Sequence, residues 1–281
     1  MLCQNKVAVV AGGAGGIGRA VVRKLLEEGA SVAIADSGKS DLDCSLSLFG
    51  DFHDRIFGLK TDVSSEKDVR RLVKQTLVRF GTVDALVDAA GVQGPMGAAA
   101  ENDPGTWMHA VRVNLFGSFL LSQAVLPVMM EKKSGSIILF SGGGATGPRP
   151  RFSAYACSKA AVVRFAETLA EEVRAFGIRV NAVAPGAVNT RMLEEVLAAG
   201  GDHVGPEYEE ALRRKKEGGT PPELAAELVA FLASDRSAGL TGRLIAAPWD
   251  PWKAWAEKGV PELSKAMYTL RRVDGRGIVE K

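Results

Sequence analysis

The chain has 281 residues, enough for one large domain or two small ones, and its formal net charge of +2 at pH 7 is close to neutral. Such a balance favours neither nucleic acid nor an anionic membrane as a partner. The three cysteines show no metal-ligand spacing, so we expect free thiols, no metal site and a cytoplasmic protein. No apolar run approaches the roughly 20 residues of a membrane span, and none is expected.

Short apolar runs alternate with longer segments of helical period. Residues 6–11 predict the first strand, and residues 17–28 predict a helix with apolar side chains on one face. A capping box that begins at Ser65 predicts a helix that runs to about residue 79, and a cap at Thr220 predicts another that ends near residue 234. The remaining predicted strands are 31–35, 56–60, around 86–87, 136–141, 178–184 and 244–247, and the remaining predicted helices are 114–130 and 153–176.

This alternation predicts an α/β fold with a doubly wound parallel sheet, because a parallel connection needs a crossover and each helix supplies one. We expect a single dinucleotide-binding and catalytic domain over residues 1–248. Residues 191–219 are expected to form an insertion that shapes the substrate site. Residues 249–281 are expected to form a tail that packs on the body or on a neighbouring subunit.

A glycine-rich turn joins the first predicted strand to the first predicted helix. Residues 11–18 read AGGAGGIG, and glycine there permits a tight turn and brings backbone and the helix N-terminus close to a pyrophosphate. Asp36 ends the second strand, where a carboxylate accepts hydrogen bonds from an adenosine ribose and repels a 2′-phosphate. The pattern predicts NAD rather than NADP, with a purely structural glycine turn and a turn-forming Asp36 as the alternatives.

Tyr155 and Lys159 lie one helical turn apart in the segment YACSK. A free tyrosine titrates near pH 10, roughly three units too high for an efficient base at neutral pH. An adjacent ammonium favours the phenolate and lowers the pKa of the tyrosine. The pair therefore predicts proton transfer to or from a carbinol oxygen, although the same spacing also occurs on ordinary helix surfaces.

In order and spacing, these motifs resemble those of the short-chain dehydrogenases/reductases, in particular the short-subunit branch. The resemblance covers roughly residues 5–246. It implies a Rossmann fold, NAD(H)-dependent interconversion of a secondary alcohol and a ketone, and a homo-oligomer, either a dimer or a tetramer. The motifs that carry it are the turn with Gly12, Gly16 and Gly18, the Asn114 segment VNLFG, the Tyr155–Lys159 pair, and Pro185-Gly186.

The resemblance also implies roles for individual residues. Tyr155 is the implied acid–base, and Lys159 holds the nicotinamide ribose and lowers the pKa of the tyrosine. Asn114 holds a relay water, and Asp62 contacts the adenine. Taken singly, Asn114 and Thr190 are also explained as helix caps, and Asp62 as a turn residue. The other implied cofactor contacts are Gly12, Gly16, Ile17, Gly18, Asp36, Val63, Ala90, Gly91, Pro185, Gly186, Val188 and Thr190.

The sequence departs from the family pattern at the catalytic serine, which usually lies 13 residues before the tyrosine. Gly142 occupies that position here, and Ser141 lies one residue further back. We predict that Ser141 takes the serine role, with Thr146, Ser153 or no hydroxyl as the alternatives. A second departure is Asp88-Ala89-Ala90-Gly91 in place of Asn-Asn-Ala-Gly, which is expected to weaken a sheet contact without removing chemistry.

Substrate recognition is expected in the variable parts of the chain. Arg149 and Arg151 precede the catalytic helix and suit a carboxylate or phosphate, although solvated surface arginines are the alternative. Trp249, Trp252 and Trp255 suit either a sugar-stacking wall or packing of the tail. We therefore expect an alcohol or ketone that carries an anionic or polyhydroxyl group.

Two other functions are compatible with the sequence. The same fold supports lyase or isomerase chemistry with bound cofactor. A non-catalytic cofactor-sensing or scaffolding protein is the second alternative, and the presence of Tyr155, Lys159 and Asn114 argues against it.

Overall fold

One seven-stranded sheet forms the centre of the protein, and the computed structural model describes residues 1–273 except for the side chain of Ser40. All neighbouring strands run parallel, in the order β3-β2-β1-β4-β5-β6-β7. The predicted doubly wound α/β fold is therefore confirmed. The strands are β1 (Val7–Ala11), β2 (Ser31–Asp36), β3 (Ile56–Lys60), β4 (Ala85–Asp88), β5 (Gly135–Phe140), β6 (Ile178–Ala184) and β7 (Arg243–Ala246).

Helices cover both faces of this sheet. The first six are α1 (Gly16–Glu27), α2 (Lys39–Ser47), α3 (Glu66–Phe80), α4 (Pro104–Val111), α5 (Gly117–Lys132) and α6 (Ser153–Glu172). The others are α7 (Arg191–Ala199), α8 (Gly201–Val204), α9 (Glu207–Glu217), α10 (Pro222–Ala233) and α11 (Trp252–Lys258). Short 3-10 turns lie at Gly50–Arg55, Arg174–Phe176 and Asp235–Ser237.

Apolar side chains of each strand alternate between two cores, one on each face of the sheet. On β1, Ala8 and Val10 belong to the core that contains α1, α10 and α11, whereas Val9 and Ala11 belong to the core with α3, α5 and α6. This is the two-residue period expected of a strand buried on both sides. Both faces of the sheet are therefore buried, and a binding site can form only at the ends of the strands.

The helix around Asn114 differs from its prediction. The sequence predicts a start at residue 114, but the helix begins ten residues earlier, where Asp103 accepts a hydrogen bond from the Thr106 N–H at 2.7 Å and Pro104 fills the first turn. Asn114 lies inside a π-helical turn, Arg112–Phe116, and is fully buried. Its interpretation as a helix cap is therefore wrong. Single π turns inside α-helices occur frequently at functional sites.

The two predicted caps have different outcomes. Ser65 caps α3 by accepting a hydrogen bond from the Asp68 N–H at 3.3 Å, which confirms that prediction. Thr220 does not cap α10, because that helix begins at Pro222 after a cap at Pro221. The Thr220 N–H instead donates to the Ala187 carbonyl at 3.0 Å. Thr220 thus braces the loop that follows β6.

Residues 191–219 fold into the three helices α7, α8 and α9, and the segment after residue 248 packs on the body. Trp252 and Trp255 are buried, whereas Trp249 is 74% exposed. The Leu244 N–H donates to the Tyr268 carbonyl at 2.7 Å, so the tail covers the edge of β7. The last part of the predicted tail, residues 274–281, lies outside the described residues.

Residues Pro104–Lys132 form one helical stretch that is long and apolar enough, by length and composition alone, to cross a membrane. The sequence predicts no such stretch; the continuation of the helix through the π turn creates it. Leu120, Leu121, Val125 and Met129 are buried in the core on one face of the sheet. We interpret the stretch as a core helix, because the central helices of globular folds can have the same length and apolar composition.

Candidate active site

Most of the predicted site residues converge on one cleft of about 510 Å³ at the carboxyl ends of the strands. In an open parallel sheet, ligands bind at this edge, where the strand order reverses between β1 and β4. A larger cavity of about 1030 Å³ lies between α6 and the C-terminal segment and contains no predicted site residue. The predicted residues that line the cleft are Gly12, Gly16, Ile17, Gly18, Asp36, Asp62, Val63, Ala90, Gly91, Ser141, Tyr155, Lys159, Pro185 and Thr190.

The glycine turn shows the close backbone approach that a dinucleotide site requires. Gly12 has φ +70°, and a Cβ on it would come within 2.7 Å of the Ala90 nitrogen. A Cβ on Gly18 would overlap the Gly12 carbonyl oxygen. The Thr190 methyl lies 3.1 Å from the Cβ position of Gly16, and the Thr190 side chain makes no capping hydrogen bond to α7. The turn therefore fits a bound pyrophosphate.

Asp36 is held in the cleft beside the glycine turn. Its Oδ2 accepts a hydrogen bond from the Ala14 N–H at 3.1 Å, and its Oδ1 accepts one from the Gly38 N–H at 3.2 Å. Asp41, in the first turn of α2, is a second carboxylate that lines the same cleft. The carboxylate thus both shapes its own turn and carries negative charge into the site, so the two interpretations of Asp36 are compatible.

Asp62 is exposed, lines the cleft and also forms a turn. Its Oδ1 accepts hydrogen bonds from the Ser64 N–H at 2.9 Å and from the Ser64 hydroxyl at 2.7 Å. Its neighbour Val63 is buried and lies against Gly117, where a Cβ would come within 2.8 Å of the valine. The adenine contact stays a prediction for both residues.

Tyr155 and Lys159 are both buried on α6, at 8% and 4% exposure. The Lys159 Nζ lies 5.8 Å from the centroid of the Tyr155 ring and donates to the Phe140 carbonyl at 2.8 Å. Burial raises the pKa of Tyr155 and lowers the pKa of Lys159. The prediction that Lys159 lowers the tyrosine pKa is not confirmed: among the described residues, the cation that lowers it is Arg149, while Glu207 raises it.

Arg149 and Arg151 bind parts of the protein itself. The Arg149 Nε and Nη2 donate to the two carboxylate oxygens of Glu207 at 2.6 and 2.5 Å, and its guanidinium carbon lies 5.2 Å from the centroid of the Tyr155 ring. Arg151 donates to the carbonyls of Asp202 and His203 at 2.8 and 2.9 Å. Both arginines thus tie the loop before α6 to the insertion, and neither lines the cleft. Their role in substrate binding stays a prediction.

Asn114 does not line the cleft but connects its elements from behind. Its Oδ1 accepts a hydrogen bond from the Val92 N–H at 2.8 Å, and its Nδ2 donates to the Val92 carbonyl and to the Ser158 hydroxyl, each at 3.0 Å. Ser158 in turn donates to the Tyr155 carbonyl at 2.8 Å. Asn114 thereby fixes the first turn of α6 against the loop after β4. Its relay-water role stays a prediction.

Ser141 and Gly142 have distinct surroundings. Ser141 is 3% exposed and lines the cleft, and its Oγ has no hydrogen-bond partner among residues 1–273. A Cβ on Gly142 would overlap the Tyr155 hydroxyl and come within 2.9 Å of the ring carbon Cζ. With this tyrosine conformation, residue 142 therefore has no room for a side chain. A buried hydroxyl without a partner inside a cleft points to a ligand.

The loop after β6 borders the cleft only in part. Pro185 and Thr190 line it, whereas the predicted Gly186 and Val188 do not. Gly186 has φ +84°, and a Cβ on it would lie 2.6 Å from the Thr220 Oγ1, so this glycine serves the bend of the loop. Sequence reasoning missed several lining residues, namely Arg19, Asp41, His109, Val113, Arg191 and Met192.

The sheet order and the glycine turn define a Rossmann-type nucleotide-binding fold, with a buried tyrosine–lysine pair beside the cleft. The chain belongs to the short chain dehydrogenase family, whose sequence model matches residues 6–200. It is therefore an oxidoreductase of this family with a nucleotide-binding fold.

Known proteins resemble it over most of their length. It is 34% identical to the (2S)-[(R)-hydroxy(phenyl)methyl]succinyl-CoA dehydrogenase subunit BbsD of Thauera aromatica, over 86% of this chain and 94% of the relative. Actinorhodin polyketide ketoreductase with NADPH superposes with a TM-score of 0.80 at 32% identity, covering 86% of this chain and 95% of that structure. NAD⁺-bound xylitol dehydrogenase superposes with a TM-score of 0.80 at 27% identity, covering 88% and 98%.

Proposed function

We propose that this protein is an NAD(H)-dependent oxidoreductase that interconverts a secondary alcohol and a ketone. The observation that carries the proposal is that one cleft holds Tyr155, the glycine turn and the Ser141 hydroxyl, which has no partner within residues 1–273. The cleft fits the adenosine and pyrophosphate part of the cofactor, because Gly12 and Gly18 admit backbone approach and Asp36 offers a carboxylate beside the same turn. When bound, NAD supplies a hydride acceptor.

The side chains supply the proton chemistry. In the oxidation direction, Tyr155 as phenolate takes the proton of the substrate hydroxyl, and in reduction it returns that proton to the carbonyl oxygen. Arg149 favours the phenolate and thereby opposes the effect of burial. The Lys159 ammonium has three donors, one of which is directed to the Phe140 carbonyl. The others are proposed to bind the nicotinamide ribose beside Tyr155. Ser141 orients the carbinol oxygen.

NAD is proposed over NADP because two carboxylates, Asp36 and Asp41, line the cleft near the glycine turn. Both would repel a 2′-phosphate. An anionic or sugar-like substrate has weaker support, since the guanidinium groups of Arg149 and Arg151 are hydrogen-bonded within the protein.

A cytoplasmic homo-oligomer, a dimer or a tetramer, is part of the proposal. Phe116 and Phe119 are 42% and 39% exposed and stack at 5.9 Å, and Phe165 lies 6.2 Å from Phe119. Such an exposed aromatic cluster suits a subunit interface. Sedimentation of the purified protein tests this, and a monomer at micromolar concentration would contradict it.

The test of the function is redox stoichiometry with a panel of secondary alcohols, the neutral members set against acidic and polyhydroxylated ones. We expect one equivalent of NADH for each equivalent of ketone formed. Turnover of substrate without a change in NADH absorbance would instead establish lyase or isomerase chemistry. Cofactor binding without turnover of any member would favour the cofactor-sensing alternative.

Ser141→Ala is expected to lower kcat about tenfold with little change in the free energy of unfolding. The kinetic loss corresponds to one hydrogen bond of about 1.4 kcal/mol to the reacting oxygen. Stability is expected to hold because the Ser141 hydroxyl has no partner within residues 1–273. Steady-state kinetics and thermal unfolding provide the readouts.

The matched controls for Ser141 are Thr146→Ala and Ser153→Ala. Thr146 is exposed, and Ser153 accepts a hydrogen bond from the Trp107 indole N–H at 3.0 Å. Both variants are expected to keep kcat near that of the wild type. An unchanged kcat in Ser141→Ala together with a loss in either control would transfer the role to that hydroxyl.

A further inference from the structure

Asp88 is a buried acid at the C-terminal end of β4, behind the catalytic cleft. It is 3% exposed, and its neighbours in the sheet register are Ala11 on β1 and Leu139 on β5. Among the described residues, the charged group that acts on it is Lys159 on α6. An ionised carboxylate in such surroundings is costly unless it is well paired.

The hydrogen bonds around Asp88 constrain where its proton lies. Its Oδ1 accepts from the Ala90 N–H at 3.2 Å, and its Oδ2 lies 2.5 Å from the Ser118 hydroxyl oxygen. The same Ser118 oxygen lies 2.9 Å from the Asn114 carbonyl oxygen. A hydroxyl has one proton, so it cannot serve two acceptors fully. A protonated Asp88 removes the conflict: it donates to Ser118, which then donates to Asn114.

We propose that Asp88 is held as the neutral acid in the folded protein and acts as a positioning residue for the catalytic helix. Its chain of hydrogen bonds runs through Ser118 to the Asn114 backbone. The side-chain amide of Asn114 then donates to the Ser158 hydroxyl, which donates to the Tyr155 carbonyl. A neutral acid offers one donor and one acceptor here, as the amide of the family pattern does. Only the kinetic part of the test rests on the proposed function.

The alternative to a neutral Asp88 is a buried ion pair with Lys159. Burial raises the pKa of Asp88, against the lowering effects of the Ser118 hydroxyl, Lys159 and the Ala90 N–H. The Lys159 ammonium already donates to the Phe140 carbonyl, and burial lowers its pKa. Burial thus disfavours an ionised Asp88, and among residues 1–273 the Lys159 ammonium donates to the Phe140 carbonyl and not to the Asp88 carboxylate.

Stability should depend on pH in a defined direction. An acid whose pKa is raised on folding contributes stability at low pH and loses that contribution as pH rises through the folded-state pKa. Asp88→Asn retains a donor and an acceptor but does not titrate. The free energy of unfolding of wild type relative to Asp88→Asn is therefore expected to fall as pH rises from about 3.9, the pKa of an aspartic acid in an unfolded chain, through the folded-state pKa.

Infrared difference spectroscopy of the full chain at pH 7 tests the protonation state directly. We expect the wild-type minus Asp88→Asn spectrum to contain the C=O band of a protonated carboxyl group, with a shift in D₂O. Asp84→Asn, at the start of the same strand region, is the matched control, because its carboxylate pairs with Lys132 and should contribute no acid band. Loss of carboxylate bands in Asp88→Asn, without an acid band, would overturn the proposal in favour of the ion pair.

The positioning role is tested by kinetics. Asp88→Asn is expected to keep kcat within about threefold of wild type, whereas Asp88→Ala is expected to lose about tenfold in kcat with little change in KM. Ser118→Ala interrupts the chain without removing the acid and should show the same loss, so the test survives if Asp88→Ala does not fold. Wild-type kcat in Ser118→Ala would overturn the role. Because the infrared and unfolding readouts need no substrate, failure of the proposed reaction is distinguishable from failure of this proposal.

Discussion

Replacement of Tyr155 by phenylalanine is expected to lower kcat by a factor of about 10² to 10⁴, the usual contribution of a positioned acid–base group. The ring is retained, so its packing with Phe152 and Leu193 and its place beside Arg149 should persist. Cofactor affinity and the free energy of unfolding are therefore expected to change little. Single-turnover kinetics, calorimetric titration and thermal unfolding separate these three effects.

The pH profile strengthens this prediction. Burial raises the pKa of Tyr155, partly offset by Arg149, so alcohol oxidation should accelerate as pH rises and the phenolate forms. The residual rate of Tyr155→Phe should lack that dependence. Tyr208→Phe is the matched control, because Tyr208 packs at the edge of the same apolar cluster. A kcat of Tyr155→Phe equal to that of the wild type would show that Tyr155 is not the acid–base group.

Asp36→Asn is expected to shift the preference between NAD(H) and NADP(H) by about 10- to 100-fold toward the phosphorylated cofactor. In the proposed complex the carboxylate accepts charge-assisted hydrogen bonds from a ribose, each contributing about 1.5–3 kcal/mol, and an amide replaces them only with neutral ones. The amide oxygen still accepts one hydrogen bond from Ala14 or Gly38, so the turn should survive. Calorimetric Kd values for both cofactors give the ratio.

Asp41→Asn is the control for Asp36. Asp41 lines the same cleft but is exposed, so solvent screening should limit its effect to about threefold. An unchanged cofactor ratio in Asp36→Asn would show that the carboxylate serves its turn alone. A larger shift in Asp41→Asn than in Asp36→Asn would assign the selectivity to α2.

The sheet was predictable from sequence because its strands are short, apolar and separated by helical periods. The helices α2 and α4 were missed for a physical reason. The α2 segment KSDLDCSLS is mostly polar, and α4 has only eight residues, which leaves little periodicity to detect. Because α4 was missed, Asn114 was predicted at the start of a helix, whereas it lies in the middle of one. For the same reason His109, on α4, was not predicted to line the cleft.

The site was predictable where its residues are close in sequence, as in the glycine turn and the Tyr155–Lys159 pair. Contacts between distant segments were not. Glu207 lies 58 residues from its partner Arg149, and no local pattern joins this arginine to a helix of the insertion. The same holds for Asp88 and Ser118, which are 30 residues apart. Their pairing depends on how α5 packs against the end of β4.

Titration of the wild-type protein with NADH and with NADPH, followed by calorimetry, tests the central claim most directly. The account predicts saturable binding of NADH with a Kd in the micromolar range and binding of NADPH weaker by about tenfold or more. Absence of binding by either cofactor at millimolar concentration would contradict the account, since the glycine turn would then be structural only. Tighter binding of NADPH would contradict the role assigned to Asp36.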